Sequence, residues 1–285
     1  MSAYRDAVDR VVRAALAEDA PWGDITSEHL IPADATARAA VVAREPGVLA
    51  GGAGVEAAFA QIDPSIVVGD LVADGTAFSA GEVLARIEGP ARGVLRGERI
   101  ALNLAQRLSG VATLTARYVA AVAGTDARIV DTRKTTPGLR LLERHAVRVG
   151  GGRNHRFSLS DAVMAKDNHL AVLAAQGIGT AEALRRLRAQ LPHTVRIEVE
   201  VDRLDQVPEA LDGGADIVML DNFSLDELRA GVALIAGRAV VEASGGVTLD
   251  TVAAIAATGV DVISVGALTH SVRALDLGLD MRIDA

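Results

Sequence analysis

Lys134 and Lys166 are the only lysines among 29 basic residues, and both lie in one stretch, DTRKTTPGLRLLERHAVRVGGGRNHRFSLSDAVMAKDNHL, from Asp131 to Leu170. A compact ammonium on a flexible stem is kept where the planar fork of arginine will not substitute. From Arg128 to Arg156, seven arginines and Lys134 stand against Asp131 and Glu143, a local charge of +6 in a chain of net −8. Concentrated positive charge in an otherwise acidic protein marks a place for an anion. Arg133, Arg156 and Lys166, with His155 beside them, suit a ligand with more than one carboxylate, because a guanidinium grips a carboxylate with two parallel hydrogen bonds. Glu198 is read differently. It shares the polar face of its strand with Glu200 and serves as an internal partner for a buried Arg or Lys.

Glu200 and Asp221 close two successive apolar runs. Two carboxylates there either share a hard divalent cation, Mg²⁺ above all, with substrate oxygens, or pair with the basic stretch. Ser244-Gly245-Gly246 and Gly266 end the last two runs, where glycine lets backbone N–H groups approach a phosphate. His270, in Thr269-His270-Ser271, either reaches the same phosphate or faces solvent.

Elements must bring these groups together. From Ala127 onward, apolar runs at Arg128–Val130, Ala162–Ala165, Val195–Val201, Ile217–Leu220, Ala239–Val241 and Val260–Val265 alternate with helical patterns at Thr180–Gln190, Leu225–Ile235 and Leu249–Thr258. Strand–helix alternation implies a parallel sheet, and right-handed crossovers let it curl into an α/β barrel, complete or slightly open. In a barrel the carboxyl ends of the strands converge on one cleft. The polar residues just past each run, beginning with Asp131-Thr132-Arg133-Lys134 and Lys166-Asp167-Asn168, would meet there. Upstream, an amphipathic N-terminal helix precedes short strands between residues 37 and 87, the pattern of a small sheet-containing domain. A long helix from Arg92 to about Ala123 follows, with Arg96, Arg99 and Arg107 read as solvated or ion-paired.

Composition removes several classes. With no cysteine, thiolate metal sites and Cys nucleophiles are excluded. Neither a Ser-His-Asp order nor a phosphate-cradling P-loop is present. Acidity and 2% aromatic content argue against nucleic-acid binding. The charged N-terminal helix is neither a signal peptide nor a membrane span, so a cytoplasmic protein without membrane partners is expected. A Schiff-base aldolase at Lys134 or Lys166 remains open on these residues, as does a non-catalytic polyanion sensor.

The blocks DTRKTTPGLR, GGGRNHRFSLSDAVMAKDNH, EVEVD, VMLDNF, EASGG and VGALTHS, with ERIALNL at residues 98–104, resemble the quinolinate phosphoribosyltransferase family over nearly the whole chain. The resemblance implies an N-terminal α/β sandwich domain, residues 1–107, joined to an incomplete TIM-like α/β barrel, residues 108–272, with the tail 273–285 returning to the first domain. It implies joining of quinolinate to phosphoribosyl pyrophosphate with Mg²⁺, giving nicotinate mononucleotide, pyrophosphate and CO₂ in de novo NAD synthesis. Carried over by position, Arg133, His155, Arg156 and Lys166 hold the quinolinate carboxylates, and Arg99 reaches in from a second subunit of a homodimer or larger assembly. Thr132, Lys134, Glu200 and Asp221 meet the ribose–pyrophosphate part and its metal, with Lys134, Glu200 and Asp221 in the catalytic role. Ser244, Gly245, Gly246, Gly266 and His270 lie at the phosphate ends. A relative of the same fold with another substrate, such as a phosphoribosyltransferase-like protein associated with molybdenum transport, is the alternative, but the double-carboxylate set around Arg156 and Lys166 favours quinolinate.

Overall fold

A computed structural model describes residues 2–284. The elements in order are α1 (Ser2–Asp19), α2 (Ile25–Leu30), β1 (Thr36–Ala43), β2 (Gly47–Val48), α3 (Gly52–Ile62), β3 (Val67–Gly69), β4 (Ala77–Phe78), β5 (Val83–Pro90) and α4 (Ala91–Ala121). Then come β6 (Arg128–Val130), α5 (Arg140–Val149), β7 (Val163–Ala165), α6 (Asp167–Ala174), α7 (Thr180–Gln190), β8 (Ile197–Val201), α8 (Val207–Asp212) and β9 (Ile217–Asp221). The chain ends with α9 (Leu225–Ile235), β10 (Val240–Ser244), α10 (Val252–Ala256), β11 (Val262–Ser264), α11 (Ala267–His270) and β12 (Leu277–Asp284).

These form two compact units. The first takes Met1–Ala116, Thr135–Gly151 and Leu268–Ala285, so α5 belongs to it although α5 lies between two strands of the second unit in sequence. Its main sheet is antiparallel, in the order β12-β1-β5-β3. β1, TARAAVVA, exposes Thr36 and Arg38 and buries Ala37, Ala39 and Val41, the two-residue alternation of a half-buried strand. The C-terminal tail supplies the edge strand β12, pairing Leu277 with Ala43. In the same unit a Cβ on Gly97 of α4 would sit 2.7 Å from the Phe59 ring of α3. Only glycine lets that ring pack so closely, and burying it contributes about 1.5–3 kcal/mol.

The second unit, Arg117–Lys134 and Gly152–Ala267, holds a six-stranded parallel sheet in the order β6-β11-β10-β9-β8-β7. The fold is the expected α/β barrel with one gap, between edge strands β6 and β7. Its strands read as short apolar runs because both faces are covered: Ile197, Val199 and Val201 of β8 are all buried. The helices at Thr180–Gln190 and Leu225–Ile235 have the bounds their periodicity predicts. α10 is shorter than the expected Leu249–Thr258. Thr248 N–H bonds the Thr251 hydroxyl at 3.0 Å, a local turn that delays the helix start, and Gly259 at φ +92° follows its end.

A strap covers part of the barrel gap. Arg153 forms a parallel bridge with Val130 of β6, and Arg156 Nη1 donates to the carbonyl of Ala162, just before β7, at 3.1 Å.

Candidate functional site

Each strand of the second unit delivers a polar group where its apolar run ends. Asp131 follows β6, Lys166 follows β7, and Asp221 and Ser244 are the last residues of β9 and β10. Glu200 is the penultimate residue of β8. A cavity of about 400 Å³ gathers Thr132, Arg133, Lys134, His155, Arg156, Lys166, Glu200, Asp221 and Ser244. Those nine are among the residues expected at the site, drawn from five strand ends and the strap. Gly245, Gly246 and Gly266 do not line it, and Arg99 and His270 belong to the first unit. Arg99 is well exposed there, with Glu98 as a neighbouring charge at 4.0 Å.

The cavity also takes in Met164, Met219, Glu242 and Ser264, which sequence reasoning gave no role. The signal was present. Each stands two residues before a position read as functional: Lys166, Asp221, Ser244 and Gly266 respectively. Side chains two apart on a strand share a face, so these four form the layer beneath the rim of the barrel.

The most buried polar group of the site lies in that layer. His155 Nε2 sits 3.2 Å from Glu198 and 3.3 Å from Glu242, and all three side chains are almost wholly buried. Glu198 is thus the internal partner expected, with a histidine on the strap as its hydrogen-bonded neighbour and Arg156 as a nearby opposite charge. His155 Nδ1 lies 2.7 Å from the Arg156 backbone nitrogen, so Nε2 is the ring nitrogen that faces the carboxylates. Burial pulls the imidazole's pKa down, but hydrogen bonds and charge from Glu198 and Glu242 outweigh it and push the value up to about 10. Burial raises the Glu198 carboxyl, the hydrogen bond from His155 opposes this, and Glu242 adds to it.

Around the rim the balance is different. Lys166 Nζ pairs with the Glu200 carboxylate, but Lys166 remains 43% exposed. Asn222 Nδ2 donates to Asp221 at 2.6 Å. Arg156 reaches Met164 Sδ at 3.5 Å, and burial together with the neighbouring charge of Arg133 pulls its pKa down. Arg133 Nε is buried without a hydrogen-bond partner. A buried donor in that state carries a cost that an incoming acceptor would remove.

The glycines at the end of β10 have separate reasons. A Cβ on Gly245 (φ +89°) would lie 2.2 Å from Asn222 Oδ1, so this glycine makes room for a side chain of the loop after β9. Gly246 (φ +58°) has nothing within 4 Å and is open. Gly245 therefore has a packing reason of its own, while the space beside Gly246 leaves room for the expected approach of a ligand.

A larger cavity of about 840 Å³ lies among apolar side chains such as Leu170, Leu173 and Leu187. It shares only Arg156 and Met164 with the first and lacks the strand-end acids, so the chemistry belongs to the smaller one.

Residues 24–109 match the N-terminal domain of quinolinate phosphoribosyl transferase, and residues 111–280 match its C-terminal domain. The chain is 43% identical over 266 residues to the probable nicotinate-nucleotide pyrophosphorylase (carboxylating) of Bacillus subtilis strain 168, covering 93% of this chain and 90% of that one. It is 43% identical over 285 residues to the nicotinate-nucleotide pyrophosphorylase (carboxylating) of Mycobacterium leprae, covering 97% and 98%. Among solved structures, NadC from Streptococcus pyogenes superposes with a TM-score of 0.92 at 40% identity, covering 98% of this chain and 97% of that one.

Proposed function

This chain belongs to the quinolinate phosphoribosyltransferase family, and we propose that it transfers the phosphoribosyl group of phosphoribosyl pyrophosphate to quinolinate with loss of CO₂. The products are nicotinate mononucleotide and pyrophosphate, and the reaction supplies NAD synthesis. The observation that carries the site reading is the cavity itself. Arg133, His155, Arg156 and Lys166 face one 400 Å³ space together with the carboxylates of Glu200 and Asp221.

Two guanidiniums and an ammonium give a dicarboxylate more grips than a monocarboxylate can use. Arg133 Nε, buried and without a partner, is suited to one carboxylate oxygen. The pyridine nitrogen is the nucleophile, so no general base is needed, and the cations act by holding it in line with the ribose. As pyrophosphate departs, negative charge grows on its oxygens and Lys134 stabilises it. Once the ring nitrogen is cationic, it can stabilise the electron pair left on the adjacent carbon when the carboxylate departs as CO₂, and that carbon then takes a proton from water. Met164 and Met219 give this polar cavity a soft apolar surface for the ring.

Glu200 and Asp221 suit Mg²⁺ by donor type, being hard oxygen ligands beside the same space. Among the described residues, the three-ligand grouping is instead His155, Glu198 and Glu242. That grouping carries a nitrogen donor already committed to both acids, which does not suit Mg²⁺. The cation would therefore be held by Glu200 and Asp221 with substrate oxygens completing its shell, and it would supply charge neutralisation on the pyrophosphate. Ser244, Gly245, Gly246 and Gly266 are proposed for the phosphate ends. Arg99, 59% exposed, is proposed to serve a second subunit of a homodimer or larger assembly. No helix among the described residues is long and apolar enough to cross a membrane, and a cytoplasmic setting is proposed.

The test is pyrophosphate release with phosphoribosyl pyrophosphate, Mg²⁺ and either quinolinate or nicotinate. Release with quinolinate alone is expected. Release with nicotinate in its place would overturn the dicarboxylate reading.

A further inference from the structure

We propose that Asp131 is a positioning residue that locks the strap bearing His155 and Arg156 to the end of β6. It thereby sets the spacing between Arg133 and Arg156 before substrate arrives. This rests on the reading of those residues as the grip on quinolinate.

Asp131 is the first residue past β6 and is fully buried. One carboxylate oxygen accepts the His155 N–H at 2.7 Å, and the other accepts Asn154 Nδ2 at 2.6 Å. Its own N–H donates to the Arg153 carbonyl at 3.1 Å, and Arg153 N–H returns a bond to the Ile129 carbonyl at 2.9 Å. Three consecutive strap residues are therefore bonded to the end of one strand. Arg133 lies two residues beyond Asp131 on the other side, and Arg156 directly follows His155. The carboxylate thus joins the two chain segments that carry the guanidiniums.

The location explains why a side chain has to do this. β6 is an edge strand three residues long, and its backbone pairing with the strap is a single bridge at Arg153. That bridge is a single pivot; the His155 ring and the Arg156 guanidinium are held further along, and the two short hydrogen bonds from the buried Asp131 carboxylate fix the chain between them and the bridge. Two-pronged recognition is steeply sensitive to such a pivot, since a misplacement of about 1 Å costs on the order of 100-fold.

The experiment is a swap. Asp131→Asn keeps an acceptor for the His155 N–H but turns an amide N–H₂ toward Asn154, so two donors face each other. Asn154→Asp alone places two carboxylates together. The double variant Asp131→Asn, Asn154→Asp restores a donor–acceptor pair and the net charge. Initial rates would be measured with each substrate varied, with quinolinate binding by calorimetry and folding by circular dichroism alongside. Asp131→Asn is expected to raise the quinolinate KM by about tenfold or more and that of phosphoribosyl pyrophosphate by about threefold at most. The double variant should return the quinolinate KM to within about threefold of the parent. Should Asp131→Asn fail to fold, Asn154→Ala, which removes only one of the bonds, should show the same split at smaller size. Equal rises in both KM values, or a double variant no better than Asp131→Asn, would overturn the inference. A parent protein that neither binds quinolinate nor turns it over would overturn the reading of the site, and this inference with it.

Discussion

Two cation–carboxylate groupings lie one strand layer apart in the barrel, and they are built for opposite ends. At the rim Lys166 holds Glu200 with its ammonium 43% exposed, whereas beneath it His155 is 11% exposed between Glu198 and Glu242. The rim pair sits in a high effective dielectric, so its attraction is small and water or substrate can take either partner's place. In the lower layer the charges have been taken out of water. Their mutual attraction is larger there, and so is the penalty for leaving one of them alone. The rim can change partners during a reaction. The layer below can only hold its shape.

The largest effect should come from breaking the lower layer. Glu242→Ala leaves a buried imidazole with half its partners and should lower stability by about 3–5 kcal/mol. Glu200→Gln, made at the rim, should cost about 1 kcal/mol or less while reducing turnover. Urea denaturation beside kinetics would separate them, and equal destabilisation by the two variants would erase the distinction between layers. Next in size is a rim residue just past the end of β6. Lys134→Ala should lower kcat by about 10²–10³, as for a donor to developing negative charge, with quinolinate affinity changed much less. Weakened quinolinate binding at unchanged kcat would move Lys134 from the leaving group to the ring.

The rim was legible in the sequence and the layer below it was not, for a physical reason. An apolar run that ends in a charge stands out, so Lys166, Asp221 and Ser244 could be read from their positions alone. Met164, Met219 and Glu242 sit inside the runs, where a thioether looks like ordinary core and an acid looks like a structural partner. Only the two-residue period of a strand assigns them to the same face as the rim. His155 was visible as part of the basic stretch. Its pairing with Glu198 was not, because it depends on a strap leaving β6 and crossing toward β7, a path that strand–helix alternation does not encode. The six strands and the helices at Thr180–Gln190 and Leu225–Ile235 were legible since their periodicity is decided by burial. The start of α10 was not, since Thr248 and Thr251 settle it through a local hydrogen bond.

A pH titration sharpens the comparison at intermediate size. The His155 pKa is raised from the ordinary 6.5 to about 10 in the folded protein, so folding favours the protonated form. The corresponding stability is fully present below about pH 6.5 and is lost as pH rises through about 10. Across that window the stability difference between the parent and His155→Gln should fall with a slope approaching about 1.4 kcal/mol per pH unit, the limit for one proton. Denaturation series at pH 6 to 10 would measure it. A flat difference would mean that the lower layer holds no extra proton and is neutral by another arrangement.

The smallest expected effect tests the open end of the rim. Gly245 and Gly246 are adjacent glycines at positive φ, but only Gly245 is crowded, with Asn222 Oδ1 2.2 Å from where a Cβ would stand. Gly246→Ala meets nothing within 4 Å, so its cost should be the left-handed backbone conformation alone, about 1–2 kcal/mol. If the Gly246 N–H receives a phosphate oxygen, the added methyl should raise the KM for phosphoribosyl pyrophosphate several-fold and leave that for quinolinate unchanged. Equal KM values in variant and parent would show that both glycines serve the turn after β10. The phosphate would then have to be held by side chains, with Ser244 the nearest on this strand.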